Sequence, residues 1–199
     1  EKARDAVKTC LAVGANQGYL ISDPAFEAAD TLGKSRILAA AVRHLEAEAG
    51  KPFDLIFCGR EATDRATGQV GPQLAEALGV GLITDLVDIE QTGAGICAKQ
   101  ETESGYRRVE AATPCVVTVN KPAYDPRYPT IKSKLAARKM PIPVLSAAEL
   151  DNVDPGRPGS HVVRVYEPAK RQAGVKIKEE TCEESVLKAV AMMADAKVL

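Results

Sequence analysis

Phe53-Asp-Leu-Ile-Phe-Cys-Gly-Arg-Glu-Ala-Thr-Asp-Arg-Ala-Thr-Gly-Gln-Val-Gly-Pro-Gln-Leu-Ala-Glu-Ala-Leu78 is the stretch whose reading decides the fold. Leu55 to Cys58 is a short apolar run of the length of a buried strand, and Gly59 ends it. A polar loop without long hydrophobes follows to Gly68. Apolar positions then recur at Val70, Leu74 and Leu78, with Ala75 and Ala77 beside them, which is helical spacing. A strand, a glycine-containing loop and a helix in succession bring free backbone N–H groups and a positive helix end to one point, where a phosphate can be held.

Upstream, Ala3, Ala6, Val7, Cys10 and Leu11 share one helical face that ends near Gly14, and Gly18 to Ile21 reads as a short strand. Asp23-Pro24 supplies a cap and a first-turn proline. It predicts the start of a longer helix whose buried stripe is Ile37, Leu38, Ala41, Val42 and Leu45. Helix, strand, helix, strand, helix over about the first 80 residues predicts a parallel sheet covered by helices. A doubly wound domain normally opens on its innermost strand, whereas this sequence opens on a helix. The expectation is that the sequence begins partway through a longer protein; the alternative is a small α/β domain that starts with a helix.

Downstream the pattern changes. Leu82 to Ile89 is one extended run, and Ile96 to Gln100 and Tyr106 to Glu110 alternate around a Glu-Ser-Gly turn, as in a hairpin. Cys115 to Val119 is a further apolar strand. A proline-punctuated segment, Lys121 to Pro143, contains a short basic helix, Thr130 to Lys139. Asp151 to Gly159 reads as a linker and His161 to Tyr166 as a last strand-like run. Thr181-Cys-Glu-Glu184 is a capping box that opens a terminal helix with Val186, Leu187, Val190 and Met193 on one face.

Composition narrows the class. Hydrophobic residues make up 45% and charged residues 27% of the 199, ordinary for a soluble globular domain with a real core. A formal net charge of -1 argues against a general nucleic-acid binder. No apolar run approaches the roughly 20 residues of a membrane helix. The five cysteines form no Cys-x-x-Cys pair, so neither a zinc site nor a disulfide framework is expected, and a reducing, intracellular setting fits. His44 and His161 are read as surface residues. No catalytic triad or metal-ligand cluster is found. Glu61 and Asp64 are read as caps or hydrogen-bond anchors ahead of acid/base groups. The loop lacks the Gly-Lys-Ser/Thr of a P-loop and the Gly-x-Gly-x-x-Gly fingerprint. Around Ile131, an apolar side chain among lysines is either a docking element or a solvated basic loop, and the residues leave the two evenly matched.

Four blocks together resemble the small (beta) subunit of electron transfer flavoproteins, the family that includes the FixA proteins. They are Leu11-Ala-Val-Gly-Ala-Asn16 with Ser22-Asp-Pro-Ala-Phe26 and Ala29-Asp-Thr-Leu32; Asp54 to Asp64 running into Gln69-Val-Gly-Pro-Gln-Leu-Ala-Glu76; Asp125-Pro-Arg-Tyr-Pro-Thr-Ile131; and Arg171-Gln-Ala-Gly-Val-Lys176. The resemblance implies an α/β fold: a three-layer, Rossmann-like adenine-nucleotide-binding domain of the adenine nucleotide alpha hydrolase-like type, with a mainly parallel sheet and an extended C-terminal arm. It places the nucleotide-binding domain at 1–145, lacking the family's N-terminal strand and including a recognition loop at 121–143. The arm and helix, 146–199, would pack on the large (alpha) subunit.

The resemblance further implies that Cys58, Gly59, Arg60, Glu61, Ala62, Asp64, Thr67, Gly68, Gln69, Val70 and Gly71 cradle the phosphates of FAD or AMP. A further FAD is expected in the large subunit. Gln69-Val-Gly-Pro72 looks like the branch with electron-bifurcating members, while Arg65-Ala66 departs from the acidic residues usual there. Ile131 takes the position of the residue that enters an acyl-CoA dehydrogenase type partner, with Lys132, Lys134, Arg138 and Lys139 steering. The implied function is electron relay between that partner and another redox carrier, with no catalytic side chain; the alternative is an AMP-binding or purely structural scaffold subunit. The implied location is the cytoplasm of a bacterium, or the mitochondrial matrix in a eukaryote. An adenylyl-transfer enzyme of the same broad fold would need Ser-Gly-Gly-x-Asp-Ser and His-x-Gly-His type loops, which are not in this sequence.

Overall fold

The computed structural model describes residues 2–93, 95–121, 125–151, 153–156, 158–170 and 173–198. Pro122 of the expected recognition loop, and Arg171 and Gln172 of the fourth block, lie outside them. The chain divides into two compact units, Glu1–His161 and Val162–Leu199.

The first unit contains α1 (Lys2–Ala12), β1 (Leu20–Ile21), α2 (Thr31–Ala49), β2 (Leu55–Gly59), α3 (Val70–Leu78), β3 (Gly81–Thr92), β4 (Gly95–Thr102), β5 (Gly105–Ala111), β6 (Cys115–Val119), α4 (Ile131–Lys139) and β7 (Val144–Leu145). The main sheet has the order β2-β6-β3-β4-β5. β2, β6 and β3 run parallel, and β4 and β5 extend the sheet as an antiparallel hairpin. The central position of β6 explains its composition: Cys115, Val116, Val117 and Thr118 are all buried, because both faces of the strand are covered. Val116 packs with Ala39 of α2 and with Leu74 and Ala75 of α3. Cys115 and Val117 face the other way, onto Ile83, Leu86, Ile96 and Ala98.

β1 and β7 pair in parallel as a second, two-stranded sheet. Successive side chains on a strand point to opposite faces. Leu20 accordingly joins the α1–α4 cluster around Leu11 and Ala137, and Ile21 joins the α2 cluster around Ile37 and Leu145. Helices on both faces give the expected three layers here. β7 went unread in the sequence because two residues directly after a proline carry no periodicity.

The long helix begins later than Asp23-Pro24 predicts. Pro24–Phe26 is a single 3-10 turn capped by Asp23, and α2 starts at Thr31 with Asp30 as its cap. Asp23 uses one carboxylate oxygen on the Ala25 N–H at 2.8 Å and the other on the Ala147 N–H at 2.9 Å, which ties the turn to the segment after β7. Asp30 accepts from Gly33 N–H at 2.9 Å and from Gly159 N–H at 2.8 Å. These donors, Gly33 first, hold its carboxyl below the usual aspartate value. A depressed carboxylate stabilises the fold above its unfolded pKa, and that contribution is lost as pH falls through the folded value. Asp30→Ala is therefore expected to lower the melting temperature by several degrees near neutrality, with the gap to wild type closing as the pH is taken below the ordinary carboxylate range.

The second unit is an extended segment followed by α5 (Cys182–Asp195). The predicted capping box is present: Thr181 accepts from the Glu184 N–H, and Glu184 accepts from the Thr181 N–H, both at 3.2 Å. Val186, Leu187, Val190 and Met193 are all exposed. The strand predicted at 161–166 does not form: among the described residues it has no ladder partner, and alternation alone cannot satisfy backbone groups.

Candidate functional site

β2 and β6 end at one edge of the sheet, level with Leu86 of β3, the edge where open α/β sheets bind ligands. Gly59 closes β2, and the Arg60 N–H donates to the Val119 carbonyl at 3.2 Å, keeping the loop against the sheet for one more residue. The chain then turns: the Ala66 N–H donates to the Ala62 carbonyl at 2.8 Å. Ala66 and Gly68 both lie in the left-handed region, at φ 46° and 62°. Gly68 adopts it freely, whereas Ala66 carries a modest strain. α3 begins at Val70. Gln69 occupies its cap position without a side-chain capping bond, so no side chain among the described residues takes the first amides of the helix.

Gln69 is held from elsewhere. Its side-chain oxygen accepts from the Thr31 hydroxyl at 2.8 Å, joining the first turn of α3 to the first turn of α2. Ser35, fully buried, lies within hydrogen-bond distance of the Thr31 carbonyl (2.8 Å), the Gln73 side-chain oxygen (3.1 Å) and the Val70 carbonyl (3.2 Å). It pins the two helices together at the same end. Neither Thr31 nor Ser35 was assigned to the site from the sequence. The available signal was a serine one turn before Ala39 on the apolar face of α2, where a polar group requires a partner.

Between these walls lies an open cavity of about 310 Å³. Every residue that the resemblance assigns to nucleotide binding lines it except Cys58 and Gly71, and Thr31, Lys34 and Arg65 line it as well. Cys58 and Gly71 lie beneath. Burial pushes the Cys58 thiol above its ordinary pKa, so it stays protonated near neutrality. A Cβ on Gly71 would fall 2.4 Å from the Thr118 methyl, so this glycine is what lets α3 approach β6. Arg60 leans out of the cavity toward Asp85, with 3.3 Å between Nε and the carboxylate. Asp85 has φ 54° at an irregularity in β3, and its N–H donates to the Thr118 hydroxyl at 3.1 Å. Among the described residues no cluster of histidine, cysteine and carboxylate side chains could hold a metal ion, and no helix is long and apolar enough to cross a membrane.

The residues that the resemblance assigns to partner docking lie on α4. Thr130 caps the helix, accepting from the Ser133 N–H at 3.1 Å, and Ala137 anchors it against Leu11 and Ala12 of α1. Ile131 is 81% exposed, and Lys132, Lys134, Arg138 and Lys139 are exposed around it. Two further hydrophobes, not picked out in the sequence, are also open to solvent: Leu135, one turn along from Ile131, at 52%, and Tyr128 at 84%.

The family model described as "Electron transfer flavoprotein domain" matches residues 1–150. The chain is similar to the electron transfer flavoprotein subunit beta of Megasphaera elsdenii, with 38% identity over 94% of this chain and 71% of that protein. It is similar to the acryloyl-CoA reductase electron transfer subunit gamma of Anaerotignum propionicum, with 32% identity over 88% of this chain and 68% of that protein. It is also similar to the caffeyl-CoA reductase-Etf complex subunit CarD of Acetobacterium woodii, with 32% identity over 92% and 70%.

Proposed function

Because this chain belongs to the electron transfer flavoprotein domain family, we propose that it is the small subunit of an electron-relaying flavoprotein heterodimer. It holds an adenine nucleotide, FAD or AMP, by its phosphates in the cavity at the end of β2. Its large (alpha) partner subunit carries a further FAD. Electrons pass between an acyl-CoA dehydrogenase type flavoenzyme and another redox carrier. One relative named as an acryloyl-CoA reductase electron transfer subunit and another named as a subunit of a caffeyl-CoA reductase-Etf complex support a partner of that chemistry.

One observation carries the nucleotide reading: an uncapped helix start, a left-handed glycine and a cationic wall meet at one cavity at the carboxyl edge of a parallel sheet. The Val70 and Gly71 amides, the two left free at the start of α3 because Pro72 has no N–H and Gln73 donates to Gln69, would donate to phosphate oxygens, and Gly68 would let the backbone approach them. Bound there, a flavin supplies the redox chemistry, which no side chain of this chain performs. Ile131, Leu135 and Tyr128 give the partner an apolar anchor, and the cations of α4 steer its approach.

Acid extraction of the assembled full-length heterodimer, followed by identification of the released nucleotide, tests this reading. FAD or AMP in stoichiometric amount beyond the large subunit's own FAD is the expected result. A complex containing no flavin ends the electron-relay reading. Gly68→Val forces a β-branched residue into the left-handed region beside the phosphates, and occupancy is expected to fall about tenfold or more. Unchanged occupancy would refute the phosphate assignment.

A further inference from the structure

Arg60 lines two cavities. One is the nucleotide cavity. The other, of about 480 Å³, is lined also by Asp85, Glu101, Glu103 and Asn120. No other described residue lines both. In the second cavity Glu101 accepts from the Asn120 side-chain amide at 2.6 Å, whereas Asp85 takes the Arg60 guanidinium, with 3.3 Å to Nε. The fold sets Asp85 in place for this. β3 advances three residues, Ile83 to Leu86, where β6 advances two, Val117 to Val119. Such an extra residue bulges a strand and re-aims a side chain. Asp85 sits in the bulge at φ 54°, and its N–H is tied to the Thr118 hydroxyl at 3.1 Å. The Arg60 N–H is tied to the next residue of β6, at the Val119 carbonyl. Both ends of the ion pair therefore hang from adjacent residues of one strand. An aspartate held in the left-handed region costs stability, and outliers of this kind cluster where a side chain has a task.

We propose that Asp85 is an internal competitor for Arg60: it holds the guanidinium on the second cavity until a phosphate in the nucleotide cavity takes it over. This rests on the nucleotide-site reading above and adds to it a residue that sets the affinity. Asp85 touches no ligand and acts only through Arg60. A molecule whose Arg60 is engaged by Asp85 must break that pair before Arg60 reaches a phosphate, so the apparent affinity is lowered by the engaged fraction. When Arg60 crosses over, the second cavity keeps the carboxylates of Asp85, Glu101 and Glu103 and loses its cation. Occupancy of one cavity thereby changes the charge of the other.

Asp85→Asn removes the charge and suits the backbone, because asparagine enters the left-handed region more readily than most residues. The probe is AMP, titrated by calorimetry at low salt into the nucleotide-stripped full-length heterodimer. The variant is expected to bind AMP about threefold to fivefold more tightly than wild type, the upper range for a partly exposed ion pair. Arg60→Gln is expected to weaken AMP, and adding Asp85→Asn to it is expected to bring no further gain, because the competitor has nothing left to hold. Tightening of the same size in both backgrounds is a general charge effect and overturns the inference. So does Arg60→Gln that binds AMP as wild type does. Weaker or unchanged binding by Asp85→Asn, with wild type binding AMP, overturns the competitor while leaving the site intact. Wild type that binds no AMP overturns the site reading and this inference with it.

Discussion

Replacing Ile131 with aspartate is expected to cut electron exchange with the CoA-linked flavoenzyme partner by roughly a hundredfold or more, the loss seen when a central anchor residue is removed from an interface. The expectation follows from what Ile131 does not do. It is the first residue of α4, projects into solvent and joins no core cluster. The hold of α4 on the rest of the unit comes from Ala137, and its start is fixed by Thr130. An aspartate at that position suits the positive end of the helix, so the melting temperature should hold or rise slightly. Bound nucleotide should remain at the wild-type stoichiometry. Stopped-flow transfer rates, with nucleotide content measured on the same sample, decide the matter. A variant that loses nucleotide or melts early shows the helix start to be structural. One that transfers electrons at the wild-type rate removes Ile131 from the interface.

Gly71→Ala should destabilise the fold by about 1–3 kcal/mol, the cost of overfilling a packed contact. The added carbon would meet the Thr118 methyl at 2.4 Å, and Thr118 is only 3% exposed in the middle of β6. Its side chain cannot rotate away without cost, because its hydroxyl accepts the Asp85 N–H. α3 must therefore lift, and the amides at its start move with it, so nucleotide occupancy falls as well. A second change discriminates the mechanism. Thr118→Ser removes the methyl and keeps the hydroxyl, so the double variant should recover most of the lost stability in urea titrations. Failure of the serine to rescue would mean that the clash is relieved elsewhere and that Gly71 matters for another reason.

Much of this was legible in the residues. The succession of apolar run, glycine-bounded loop and 3.6-residue stripe from Leu55 to Leu78 corresponds to β2, loop and α3, because each element announces itself locally. The hairpin was readable from alternation around Glu-Ser-Gly, and α5 from its capping box. What escaped depended on partners distant in sequence. Asp23 looked like the start of a long helix, but its second carboxylate oxygen belongs to Ala147. β7 exists because β1 offers it a ladder. Lys34 and Thr31 belong to a different helix from the loop they face, so a motif read along the chain could not include them. The run at 161–166 has strand composition without a strand partner, and composition alone does not make a sheet.

The bond between Thr31 and Gln69 has a thermodynamic consequence. It bridges two segments 38 positions apart in sequence, alongside the Ser35 bonds to α3, and residues of both segments line the cavity beside it. Any ligand gripping both segments acts as a further bridge in parallel with these. Occupancy is then converted into cohesion between α2 and α3, growing with the logarithm of free ligand above its dissociation constant. Under the proposed function, the bound nucleotide is a structural member of the unit it occupies, and the protein's resistance to heat is expected to rise with the nucleotide concentration around it.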